Sequence, residues 1–127
     1  MPRSSREAAL PHPAQPELLQ GTLEVMLLRT IRRAPNHGYG LARAIELASG
    51  KALAIEEGSL YPALYRLEKR GDIESEWRIT EKNRRAKFYS LTARGRRRLD
   101  EQVALWARLS GAVSRVLASD APAGGGS

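Results

Sequence analysis

A chain of 127 residues has room for one small domain with tails, and an apolar content of 42% is lean for a core of that size. The absence of cysteine excludes disulfides, thiolate nucleophiles and Cys-containing zinc sites, and the two histidines, His12 and His37, fall in or beside predicted loops, so no metal centre is expected. The 21 Lys and Arg outnumber the 14 Asp and Glu for a net charge of +7, the balance of a chain with a polyanionic partner, most often nucleic acid.

Residues 1–15 carry Pro2, Pro11 and Pro13 among polar groups and read as a flexible arm. A helix is predicted from Pro16 to Ala34, where Leu19, Leu23, Met26, Leu27, Thr30 and Ile31 form one stripe. Leu18, Val25 and Leu28 add apolar surface on its other faces, so it is expected to be covered twice, by its own domain and by a second body. Pro35, Asn36 and Gly38 break the chain. A second helix is predicted over Tyr39–Ala48, with Leu41, Ala42, Ile45 and Ala48 inward and Gly50 as its stop. Leu53, Ala54 and Ile55 predict one short edge strand. The third helix is expected to start at Ser59 as N-cap, with Pro62 in the first turn, where a missing N–H breaks no internal bond. Leu60, Leu64 and Leu67 turn inward at i, i+4 and i+7, leaving Tyr61, Tyr65, Arg66, Lys69 and Arg70 for the outer faces before Gly71. Three short helices joined by tight turns suit a helix-turn-helix arrangement.

The period then switches to two. Ile73, Ser75, Trp77 and Ile79 alternate with Glu74, Glu76 and Arg78, the pattern of a half-buried strand. A polar turn over Thr80–Arg85 leads to a returning strand over Ala86–Leu91, so the hairpin tip carries Lys82, Arg84 and Arg85. Three helices followed by a cationic hairpin are the outline of a winged helix, a mainly α fold with a small β-hairpin (α+β). Thr92 can cap a last helix reaching Ala118, along which Leu99, Val103, Trp106, Leu109, Val113 and Val116 follow 4-3-3-4-3 spacing. That seam is too long for so small a domain to cover, and self-association is its commonest solution, with Leu19, Leu23 and Leu27 of the first helix as the complementary surface. Residues 119–127, ending in a glycine run, read as a disordered tail.

The charge is local. Residues 78–98 hold nine cations against Glu81 alone, a surplus of eight that leaves the rest of the chain at −1. A concentrated stripe fits a binding footprint better than a proteome-wide bias does. No run approaches the roughly 18 apolar residues of a membrane span, and no secretory signal opens the chain, so a cytoplasmic protein is expected. Neither GxxxxGK[ST] nor GxGxxG occurs, and a binder without cofactor is expected rather than an enzyme.

Leu60-Tyr61-Pro62-Ala63-Leu64, then Arg66-Leu67-Glu68 and Gly71, then Tyr89, Leu91, Thr92 and Gly95 resemble the PadR family of bacterial transcriptional regulators. His37-Gly38-Tyr39-Gly40 resembles that family's turn into its second helix. The likeness spans roughly residues 17–118. It implies a winged helix-turn-helix domain over 16–91 and a C-terminal dimerisation helix over 92–118, in homodimers that bind palindromic operators on double-stranded DNA and usually repress. The wing of many members contains a glycine, whereas Asn83-Arg84-Arg85-Ala86 stands there in this chain.

On that resemblance the third helix is the one laid in a major groove. Ser59 and Tyr61 are expected near phosphates at its N-terminal end, Tyr65, Arg66 and Lys69 one to two turns on reach base edges or phosphates, and Pro62 together with Tyr39 of the second helix counts among the DNA-binding residues. The structural alternative has Tyr61 and Tyr65 packing as an i, i+4 pair and Arg66 paired with Glu68 or Glu46. Lys82, Asn83, Arg84, Arg85 and Lys87 are expected to contact phosphate or minor groove, the alternative being solvated loop charge. Arg94, Arg96, Arg97 and Arg98 open a helix against the dipole's preference and serve either phosphates or acidic partners such as Glu101. Trp106 reads as a dimer-core residue or, as some PadR-like multidrug regulators imply, as the wall of a pocket for a small aromatic effector between subunits. Trp77 is expected in the core or supporting the wing, and His37 in a turn. The rival reading is a winged-helix interaction module that recruits another chain through the last helix.

Overall fold

Leucine and isoleucine at helical spacing build α1 (Gln15–Arg33), which begins and ends one residue before the expected span. It is followed by β1 (Asn36–His37), α2 (Gly38–Ala48), α3 (Glu57–Lys69), β2 (Ile73–Ile79), β3 (Arg85–Leu91) and α4 (Ala93–Ala118). This computed structural model describes residues 15–120, with side chains from residue 21 onward. Most of the expected arm and tail, and the side chain of Leu19, therefore lie outside the described residues.

The core sits where the three short helices meet the foot of the hairpin. Leu23, Leu27, Leu28 and Ile31 of α1, Leu41 and Ile45 of α2, and Leu60, Ala63, Leu64 and Leu67 of α3 close over Ile73, Tyr89 and Leu99. Leu23, Leu27 and Leu99, expected in the seam between subunits, are thus buried within the chain's own core and present no surface to a second body. Of the residues expected on its other faces, Leu28 is buried and Val25 packs on the core, because α1 lies against α2, α3, β3 and α4, while the side chain of Leu18 lies outside the described residues.

Two local expectations are corrected. Residues Leu53–Ile55 form no strand; Leu53 and Ile55 instead lean on the core as half-buried side chains. The third strand is β1, which pairs antiparallel with β3 through Asn36↔Tyr89 and His37↔Phe88 and gives the sheet the order β1-β3-β2. Ser59 is not the N-cap of α3. The cap is Glu56, three residues earlier, whose carbonyl accepts from both Ser59 N–H (3.0 Å) and Leu60 N–H (2.9 Å), and no side chain caps the helix. Pro62 consequently lies in the second turn, where it removes the bond to the Gly58 carbonyl. Gly71, at φ +85°, ends α3 in the left-handed region that a residue with a Cβ resists.

The corner after α3 is locked to the last helix. Thr92 caps α4 by accepting from Gly95 N–H (3.0 Å), and its hydroxyl also reaches the carbonyls of Gly71 (2.7 Å) and Asp72 (3.0 Å). Gly95 is required there, since a Cβ would collide with the Asp72 carbonyl oxygen. The Asp72 carboxylate is buried and faces the guanidinium nitrogens of Arg70 (3.5 Å), Arg94 (3.5 Å) and Arg98 (3.4 Å). Beyond Leu99, α4 leaves the domain. Val103, Trp106, Leu109, Val113 and Val116 are all exposed, with Trp106 at 49%.

Candidate nucleic-acid interface

The inward leucines of α3 dictate which side chains it turns to solvent. Tyr61, Tyr65 and Lys69 project outward, Tyr65 to 64% exposure, and the Lys69 ammonium lies 5.8 Å from the Tyr65 ring centre. The ring of Tyr61 rests on Gly38 at the start of α2, where a Cβ would come within 2.7 Å of it. Neighbouring Tyr39 is exposed and shares a shallow cleft with Tyr61, Arg43 and Ile55 between α2 and α3. His37 caps α2, its Nδ1 accepting from Gly40 N–H at 3.1 Å. Ser59 and Pro62 are exposed in the first two turns of α3.

Arg66 is placed otherwise than expected. Its Nε donates to Glu24 Oε2 on α1 at 2.8 Å, and Arg70 donates to the other oxygen of the same carboxylate at 2.7 Å. Neither Glu68 nor Glu46 is its partner. The Nε–Glu24 contact ties α3 to α1, and the Arg66 side chain stays 34% exposed. Burial by itself would lower the Arg70 pKa, but hydrogen bonds and charge from Glu24 and Asp72 outweigh it and hold the group above its ordinary value.

Glu68 joins α3 to the hairpin. It accepts from the Ser75 hydroxyl at 2.7 Å and lies 3.7 Å from Lys87 Nζ, so Lys87 is half-buried rather than free. Tyr89, on the same face of β3, has its pKa raised by burial and then by the negative charge of Glu68 and Tyr61. One surface therefore runs from Tyr61 and Tyr65 along α3 to the hairpin.

The hairpin tip needs a left-handed residue, and Asn83 supplies it at φ +62°, a conformation Asn tolerates better than most residues with a Cβ. Thr80 Oγ1 accepts from Lys82 N–H and Arg84 N–H (3.2 Å each), and Thr80 N–H donates to the Arg84 carbonyl at 2.8 Å. The turn is thus closed without the glycine common in the family, and Lys82, Asn83, Arg84 and Arg85 all project into solvent. β2 is not half-buried along its length. Ile73 is buried and Ser75 half-buried, but Trp77 (57%) and Ile79 (60%) are exposed, because the strand outruns the body of the domain. The Arg85 guanidinium lies 4.7 Å from the Trp77 ring centre.

At the start of α4, Arg94 and Arg98 are engaged by Asp72, while Arg96 and Arg97 are exposed without an acidic partner among the described residues. The residues that sequence reasoning missed are Glu24 and Asp72. Glu24 lies 42 residues from Arg66, and no local periodicity signals a pairing at that separation. Among the described residues there is no group of His, Asp and Glu that could hold a metal ion, and no helix is long and apolar enough to cross a membrane.

A family model for PadR-like transcriptional regulators matches residues 27–101. The crystal structure of a PadR family transcriptional regulator from Eggerthella lenta is 34% identical with a TM-score of 0.68, over 82% of this chain and 88% of that one. The uncharacterized protein X of Lysinibacillus sphaericus is 29% identical over 93 residues, 73% of this chain and 85% of its own length. An uncharacterized 37.1 kDa transposon protein of Streptomyces fradiae is 39% identical over 90 residues, but the match spans 24% of that longer protein. Among the described residues, the four helices, the last of them long, and the three-stranded antiparallel sheet are the winged-helix α+β fold of these regulators. With the family model matched across most of the core, α3 and the β2–β3 hairpin, the chain belongs to the PadR-like family of transcriptional regulators, which are not enzymes.

Proposed function

We propose that the chain is a sequence-specific DNA-binding repressor that acts as a homodimer on a palindromic operator. The observation that carries this reading is the single surface on which the outward Tyr61, Tyr65 and Lys69 of α3 meet the exposed cations Lys82, Arg84 and Arg85 of the wing. An α-helix fits the major groove, and a cationic hairpin beside it reaches phosphates and the adjacent minor groove. The winged domain over 16–91 does the reading, and α4 pairs two copies through Val103, Trp106, Leu109, Val113 and Val116, which nothing in the described chain covers. Two reading helices then face successive major grooves about 34 Å apart. A small aromatic effector seated on Trp106 between subunits would change the angle between the two domains and so the operator affinity.

The test is affinity for a duplex carrying the chain's own promoter region, measured against salt. Several phosphate contacts per dimer give a steep log–log slope, and a flat response refutes the reading. The exposed seam of α4 also suits recruitment of a different chain; an interaction module of that kind gives no mobility shift with duplex DNA.

A further inference from the structure

We propose that the open face of the β2–β3 hairpin is an apolar contact for the sugar walls of the DNA minor groove, with Trp77 as its centre and Ile79 beside it. The proposal rests on the DNA-binding reading above and names what the wing touches.

In the antiparallel register Trp77 lies opposite Lys87 and Ile79 opposite Arg85, so the four side chains share one face. The two faces of the hairpin differ. On the other, Phe88 is half-buried between the Arg78 guanidinium (5.0 Å from its ring centre) and the His37 ring (5.3 Å), closed by the chain itself. On this one, the Arg85 stack leaves more than half of Trp77 in solvent, and Ile79 is 60% exposed. β2 is also an edge strand of its sheet, where large exposed apolar groups favour aggregation unless a partner takes them.

Charge selects the partner. Lys82, Arg84 and Arg85 lie at the hairpin tip beside the apolar pair and outnumber Glu81 there, while Glu76, next to Trp77 in the chain, is paired with Arg78 at 2.6 Å, so the apolar centre borders a cationic tip. A minor groove presents the complement: apolar deoxyribose walls between two rows of phosphate, with a negative potential that draws in arginine. Position agrees. Through Ser75 and Lys87 this face abuts Glu68, which continues the Tyr61–Tyr65 stripe of α3 at i+7. DNA lying along that stripe meets Trp77 next.

The test uses the full chain labelled with 5-fluorotryptophan, whose two resonances are assigned with Trp77→Phe. On addition of a mixed-sequence duplex of about three helical turns at low salt, the Trp77 resonance should shift and lose its H2O/D2O solvent effect. Trp77→Ala should weaken binding about tenfold, the scale of one partly buried aromatic contact, with the log–log salt slope unchanged. Arg84→Gln should instead lower that slope by about one. If the duplex binds while Trp77 keeps its solvent effect, the contact is refuted and the DNA-binding reading stands. Weaker binding by Trp77→Ala without protection of the ring makes Trp77 a stiffener of the hairpin and refutes the contact equally. No binding by the wild type overturns both.

Discussion

Replacing Asp72 by Asn keeps the shape of the side chain and removes the charge that three arginines face. Asp72 is fully buried, at 3.4–3.5 Å from Arg70, Arg94 and Arg98. Removing one member of a buried ion pair costs about 3–5 kcal/mol when the orphaned charge stays buried. Here the three guanidinium side chains are 32%, 62% and 37% exposed, so each can return to water, and Arg70 keeps Glu24. The expected cost therefore falls below that range, at about 2 kcal/mol. In a folded part of this size that is a drop in Tm of roughly 8–16 °C. Thermal melts followed by circular dichroism at several protein concentrations separate this loss from any change in self-association. Arg97→Ala, at an exposed position without an acidic partner among the described residues, serves as control and should stay within about 0.5 kcal/mol. A change below about 0.5 kcal/mol for Asp72→Asn would refute the claim that its charge anchors α4.

Three further outcomes are expected. Asn83→Val should cost about 1–2 kcal/mol in urea melts, because a β-branched residue resists φ +62°, while Asn83→Gly should not destabilise; equal effects would mean the turn relaxes. Tyr89 carries a pKa raised above the ordinary 10.0, so its contribution is complete below pH 10 and is lost as pH rises through the folded value. The wild type should accordingly lose stability relative to Tyr89→Phe in the alkaline range, and parallel stability curves would contradict the raised pKa. Val103→Asp places a charge in the exposed seam of α4 and should sediment as a monomer; an unchanged mass would show that the seam is not the dimer contact.

What the sequence determined by itself is local. Helical spacing of leucines, the switch to period two at Ile73, the Thr92 cap and the stop at Gly71 each act within a few residues, and these alone outline a winged helix. The clustering of cations between Arg78 and Arg98 is equally legible, since it needs no partner to exist. Tertiary structure decided who those groups meet. Arg66 and Lys69 look alike along α3, yet one is held by Glu24 across the core and the other is free to reach solvent. Leu99 and Val103 occupy one helical stripe, but only the first lies close enough to the domain to be buried. A two-residue strand such as β1 has no periodicity to read and exists because β3 offers it a free edge. Ion pairs, burial and edge pairing depend on distance in space, and periodicity in the chain carries only the distance along it.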